Sequence, residues 1–187
     1  HHAEESPAHF IATLDWGLRL TCLVSLPAAV GLFTGLNLCP PFVAAAVRDK
    51  LEAAEVAAGW ITSEPDVELK VGLARQVGNE ARHYQVLGDR LRQLGVEPGD
   101  LDPRARRQSP TYRYLRGLQT SAERIAAASV RDGIGRVRNA AFAELCVARG
   151  DGETARLYRE VLAPDEAWQL EFSRVMLPRY TVTGEDQ

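Results

Sequence analysis

The sequence predicts an all-α protein: an antiparallel four-helix bundle preceded by an extra N-terminal segment. Three observations carry this. Apolar residues recur at helical rather than alternating spacing through most of the chain. Alanine is abundant, β-branched residues are scattered, and two-residue hairpin signals are scarce. Turn clusters cut the chain into long stretches, joined by two tight turns and one longer connection, which is the layout of two helical hairpins.

The elements follow in order. Pro40-Pro41 punctuates the chain before a first helix over residues 42–62. Ser63-Glu64-Pro65-Asp66 is a turn and N-cap cluster opening a second helix over 67–94, which Gly95 ends. The run through Pro98, Gly99 and Pro103 to Pro110 reads as a connection. A third helical region spans 111–149, with candidate breaks at Gly117 and Gly133-Gly135, and Gly150-Asp151-Gly152 turns the chain into a fourth helix ending near Leu177. The whole of residues 1–187 is expected to be one domain, with 1–41 capping a bundle over 42–177.

Composition narrows the function classes. At 45% hydrophobic and 25% charged, the 187-residue chain has enough apolar surface for a core and is not of the disordered type. A net charge of -3 argues against a dedicated nucleic-acid binder. The segment Arg104 to Arg116, with Tyr112 and Tyr114, is the one place that could grip phosphate, although a solvated surface is the plainer reading. Three cysteines (Cys22, Cys39 and Cys146), widely spaced and without CxxC, fit neither a disulfide scaffold nor a zinc knuckle, so a reducing, cytoplasmic location is expected. Residues 20–47 carry no charge, but Pro27, Gly31, Gly35, Asn37 and Pro40-Pro41 interrupt them, which favours buried core over a membrane span.

The chain also repeats itself weakly. Ile125-Ala-Ala-Ala-Ser-Val-Arg-Asp132 echoes Val43-Ala-Ala-Ala-Val-Arg-Asp49 with one residue inserted. Glu80-Ala81 follows Asp49 by 31 residues, and Glu166-Ala167 follows Asp132 by 34, so two hairpins of similar build are expected.

Helical phase then places acids inside. Leu69, Leu73, Gln76, Glu80, His83, Leu87 and Leu91 share one stripe of the second helix, and the i, i+3 spacing aims Glu80 and His83 at one point. Ile125, Ala128, Asp132, Asn139, Phe142 and Cys146 share a stripe of the third; Leu162, Glu166, Gln169 and Ser173 share one of the fourth. On the first helix Asp49 is grouped with Phe42, Val56 and Trp60. Reflecting each hairpin through its turn puts Asp49 level with Glu80 and His83, and Asp132 level with Glu166 and Gln169. Several acids buried at one level need cations or protons, and carboxylates with imidazole suit iron or manganese.

These residues resemble the ferritin-like di-iron carboxylate superfamily, which includes the ribonucleotide reductase small subunit and bacterial di-iron oxygenases. Asn79-Glu80-Ala81-Arg82-His83-Tyr84 matches its Glu-x-x-His element, and Asp165-Glu166-Ala167-Trp168-Gln169-Leu170-Glu171-Phe172 is similar to the second, with Gln169 where the family has His. The resemblance implies two iron ions, or a manganese–iron pair, held by Asp49, Glu80, His83, Asp132, Glu166 and Gln169. It further implies O2-dependent oxidation of a small organic substrate, with electrons from a reductase and Tyr84 near the site in a redox or proton role. Asp at both lone-acid positions and Gln169 depart from the family pattern. The alternatives are a bundle that holds metal without turnover and a metal-free bundle whose acids are protonated or paired with Arg136 or Arg159, acting as scaffold or partner binder. No membrane partner is expected, and a homodimer is compatible with either.

Overall fold

The computed structural model describes residues 39–97 and 109–180. Most of the expected N-terminal capping segment and the stretch Arg104 to Arg107 lie outside the described residues. Among the described residues every regular element is helical: α1 (Cys39–Ile61), α2 (Val67–Gln93), α3 (Pro110–Gly117), α4 (Ser121–Ala148), α5 (Gly152–Leu157), a π-turn (Tyr158–Leu162), α6 (Ala163–Met176) and a 3₁₀ turn (Leu177–Arg179). None of the described helices is long and apolar enough to cross a membrane.

The helix ends have local causes. Pro40 and Pro41 sit inside the first turn of α1, where no intrahelical N–H is required of them. The Asp66 side chain accepts from the backbone N–H of Glu68 and Leu69 and so starts α2. Gly95 ends it at φ 81°, a left-handed turn that favours glycine. Of the two candidate breaks in the third region, the chain uses Gly117: α3 stops there, and a capping box between Thr120 and Glu123 starts α4 afresh. Gly133 and Gly135 lie within α4, which runs through them without a break. The rod that follows is one helix in outline but contains the π-turn. Pro164 lacks the N–H that would reach residue 160 and its ring crowds that carbonyl; the ladder widens just before it, with the Ala163 N–H bonding to the Tyr158 carbonyl.

Two apolar clusters lie at different levels of the bundle. One gathers Val43 and Val47 of α1, Leu87 and Leu91 of α2, Phe142, Ala143 and Cys146 of α4, and Ala155, Tyr158 and Leu162 of the last rod. The other gathers Val56, Ala57 and Trp60, Leu69 and Leu73, Ile125 and Ala128, and Met176, with Tyr112 and Leu115 of α3. Reading residue numbers from one cluster to the other, α1 and the α5–α6 rod run one way and α2 and α4 the other. The chain therefore leaves α2 at one end and enters α4 at the other. α3 lies at the end where α4 begins, held by Trp60 Nε1 donating to the Leu115 carbonyl and Tyr112 Oη donating to Glu55.

α2 meets α6 at Gly72. A Cβ there would stand 2.0 Å from Phe172 Cζ, so only glycine lets the ring approach this closely. Phe172 in turn stacks on Trp168, and the Arg75 guanidinium lies 3.8 Å from the Trp168 ring centroid.

Candidate functional site

Between the two apolar clusters lies a layer of buried polar and charged side chains: Lys50 from α1, Glu80 and His83 from α2, Asp132 and Asn139 from α4, Glu166 and Gln169 from α6. Each sits on the inward stripe that carries apolar residues one or two turns away, which is why the backbone forces it into the interior. Five of the six expected ligand positions (Glu80, His83, Asp132, Glu166 and Gln169) are in this layer, all buried.

Asp49 is not. Its side chain is 38% exposed and pairs at 3.3 Å with Arg138, on the outside of α1 and α4. This corrects the phase assigned to the first helix. The inward residues of α1 are Val43, Ala46, Val47, Lys50, Ala53, Val56, Ala57 and Trp60, and Lys50, next to Asp49 in sequence, occupies the place expected for the acid. One residue is a rotation of about 100°, enough to exchange an inward side chain for an outward one.

The geometry centres on the Lys50 ammonium. Lys50 Nζ lies 2.8 Å from Glu166 Oε1 and 3.4 Å from Glu80 Oε2. Asn139 Nδ2 donates to the same Glu166 oxygen at 2.6 Å. The other oxygen of Glu80 accepts from Gln169 Nε2 at 3.5 Å and has an Arg131 guanidinium nitrogen at 3.8 Å. Arg131 also hydrogen-bonds Asp132 Oδ1 through two nitrogens, at 2.9 and 3.2 Å. His83 is held between two carboxylates, with Nδ1 3.4 Å from Glu80 Oε2 and Nε2 3.0 Å from Asp165 Oδ2, and Asp165 is joined in turn by Arg82.

The charges act on one another as these distances require. Burial works to raise the Glu80 carboxyl, but the His83 hydrogen bond and the charges of Lys50 and Arg131 outweigh it and hold it down to about 2. Asp132 goes the other way: burial raises its carboxyl, and Arg131 offsets that only in part.

Sequence reasoning missed three members of this layer or its rim, Lys50, Arg131 and Asp165, while Asn139 is buried as its place on the inward stripe of the third helix predicts. Arg136 and Arg159, expected as interior partners for the acids, are both exposed, and Arg159 pairs with Glu144 on the surface. Tyr84 packs against the apolar cluster of Val43 and Leu87. Tyr158 is buried there too, edge-on to Phe142.

Comparison with protein-family models, with curated proteins and with solved structures finds no match. The layer is therefore read on its own chemistry. Its donor set does not fit two metal ions. A lysine ammonium lies where a cation bridging Glu80 and Glu166 would lie, and a divalent ion about 3.5 Å from it would meet repulsion on the order of 10 kcal/mol at an effective dielectric constant of about 20. Asp49 faces outward. Among the described residues the one buried side-chain nitrogen or oxygen without a partner is Asn79 Nδ2, so no oxygen of Glu80, Glu166 or Asp132 is left buried and unsatisfied. No group of three or more His, Cys, Asp or Glu among the described residues is disposed to hold an ion.

Proposed function

We propose that this chain is a metal-independent helical bundle of the ferritin-like type, which works as a scaffold or partner-binding protein. One observation carries the reading: Lys50 Nζ, itself buried, bridges Glu166 and Glu80 at the centre of the layer. An internal ammonium does for the two carboxylates what a metal ion would otherwise have to do, and it supplies no open coordination position. With the core closed in this way, activity falls to the surface, where Val130, Ile134 and Val137 give α4 an exposed apolar strip.

The test is elemental analysis of the protein after expression with iron supplied. The expected content of iron and manganese is far below one ion per chain. Near-stoichiometric metal sinks the proposal.

A second reading, an O2-dependent di-iron oxidase, keeps one observation in its favour: Glu80, His83, Glu166, Gln169 and Asp132 share one level of the bundle. It requires Lys50 to leave the layer when metal enters. Two metals per chain together with O2-dependent absorbance changes would select it.

A further inference from the structure

We infer that Lys50 closes the position between Glu80 and Glu166 to a metal ion, and that this position becomes a divalent-cation site once the side chain is shortened or turned acidic. The inference rests on the metal-independent reading and deepens it.

The surroundings of Lys50 Nζ already hold anionic oxygens from two helices aimed at one point. Two carboxylate oxygens from different helices face it at 2.8 and 3.4 Å. An imidazole nitrogen, His83 Nδ1, lies 3.4 Å from the nearer oxygen of Glu80. The donors are positioned from outside the lysine: Asn139 holds Glu166, Gln169 and Arg131 hold the far oxygen of Glu80, and Asp165 holds the far nitrogen of His83. Orientation of ligands by such outer partners is what separates a cation site from a chance group of acids. An apolar cluster lies on either side of the place. Removing the ammonium leaves two carboxylates facing each other across the space it filled, an arrangement relieved by a cation or by protons.

The sequence of α1 offers the same conclusion from another direction. Every other inward residue of that helix is apolar, so Lys50 is its only contribution to the charged layer. It carries the charge of a cation on a tether, at full occupancy and independent of supply.

The experiment compares four forms of the full chain by cobalt(II) titration, with bound metal counted after dialysis and melting followed by circular dichroism. Wild type and Lys50→Arg, which keep the charge, are expected to hold no cobalt and to melt at the same temperature with or without it. Lys50→Ala and Lys50→Glu are expected to retain one equivalent of cobalt, at least a hundredfold more tightly than wild type, and to melt higher in its presence. Lys50→Glu covers the case in which the alanine variant does not fold, since cobalt should then restore its helicity. Lys50→Arg binding as much cobalt as Lys50→Glu overturns the inference, as does either shortened variant staying metal-blind or failing to fold even with cobalt. Stoichiometric cobalt on the wild type instead overturns the metal-independent reading, so the two failures are told apart.

Discussion

The two hairpins of the bundle put opposite charges at equivalent places. In the first, the residue seven positions after the buried Val43 is Lys50; in the second, the residue seven positions after the buried Ile125 is Asp132, and both are buried in the layer. The repeats that lead to them differ by Ser129 alone in length. That residue carries Asp132 onto the inward face, while Asp49, one step short in the other copy, meets Arg138 outside. A single insertion in an alanine-rich helix thus decides which of two neighbouring, oppositely charged residues enters the core, and with it the sign of charge the core receives.

That comparison is sharpened most by removing the buried cation. Lys50→Ala should destabilise the protein by about 3–5 kcal/mol in chemical denaturation, because it strands Glu166 and Glu80 without their counter-charge. Asp132→Asn should differ in direction as well as size: ionising Asp132 in the folded state is disfavoured, so neutralising it is expected to leave stability at neutral pH unchanged or raise it. Equal losses in the two variants would break the comparison.

Acid comes next. The Glu80 carboxyl titrates near 2 when folded and at an ordinary 4.5 when unfolded. Its contribution, on the order of 3 kcal/mol, is therefore fully present above about pH 4.5 and is lost as pH falls towards 2. Asp132, shifted the other way, opposes part of that loss. Acid unfolding monitored by circular dichroism should begin at higher pH in Glu80→Gln, in which this contribution is absent throughout.

The helix contacts outside the layer give smaller effects. Gly72→Ala should cost about 1–3 kcal/mol, with Phe172→Leu in the same chain recovering much of it by withdrawing the ring. Thr120→Ala removes the N-cap of α4 and should cost about 1 kcal/mol. Smallest is Asp49→Ala, which breaks a half-exposed ion pair and should change stability by less than about 1 kcal/mol. A large loss there would mean that Asp49, not Lys50, belongs with the acids.

Much of this was legible in the sequence, and what was not has identifiable causes. Helix ends could be read because Asp66, Gly95, Gly150 and the prolines act locally. The inward phases of α2, α4 and α6 could be read because leucine, phenylalanine and isoleucine mark them. α1 lacks that contrast: residues 42–47 are all apolar, so its stripe can be drawn one residue off, which exchanges Asp49 for Lys50. Asp165 was hidden by its neighbour Glu166, since adjacent residues seldom share a target; here Asp165 reaches His83 from the rim while Glu166 points to the centre. Arg131 has no place on the apolar stripe to mark it, yet its long side chain bends back to the acid next to it. The π-turn has one sign in the sequence, Pro164 placed mid-helix.

That widened turn has a consequence for how the molecule can change. It lies between Tyr158 and Leu162, which belong to the apolar end, and Glu166 and Gln169, which belong to the polar middle. The extra residue lets each half of the rod choose its own rotation about the axis. Loss of one residue there would swing the lower half by roughly a third of a turn, carrying Asp165 and Glu166 to new bearings while Tyr158 stayed seated. The charged tier could thus be re-aimed by an indel rather than rebuilt by substitution.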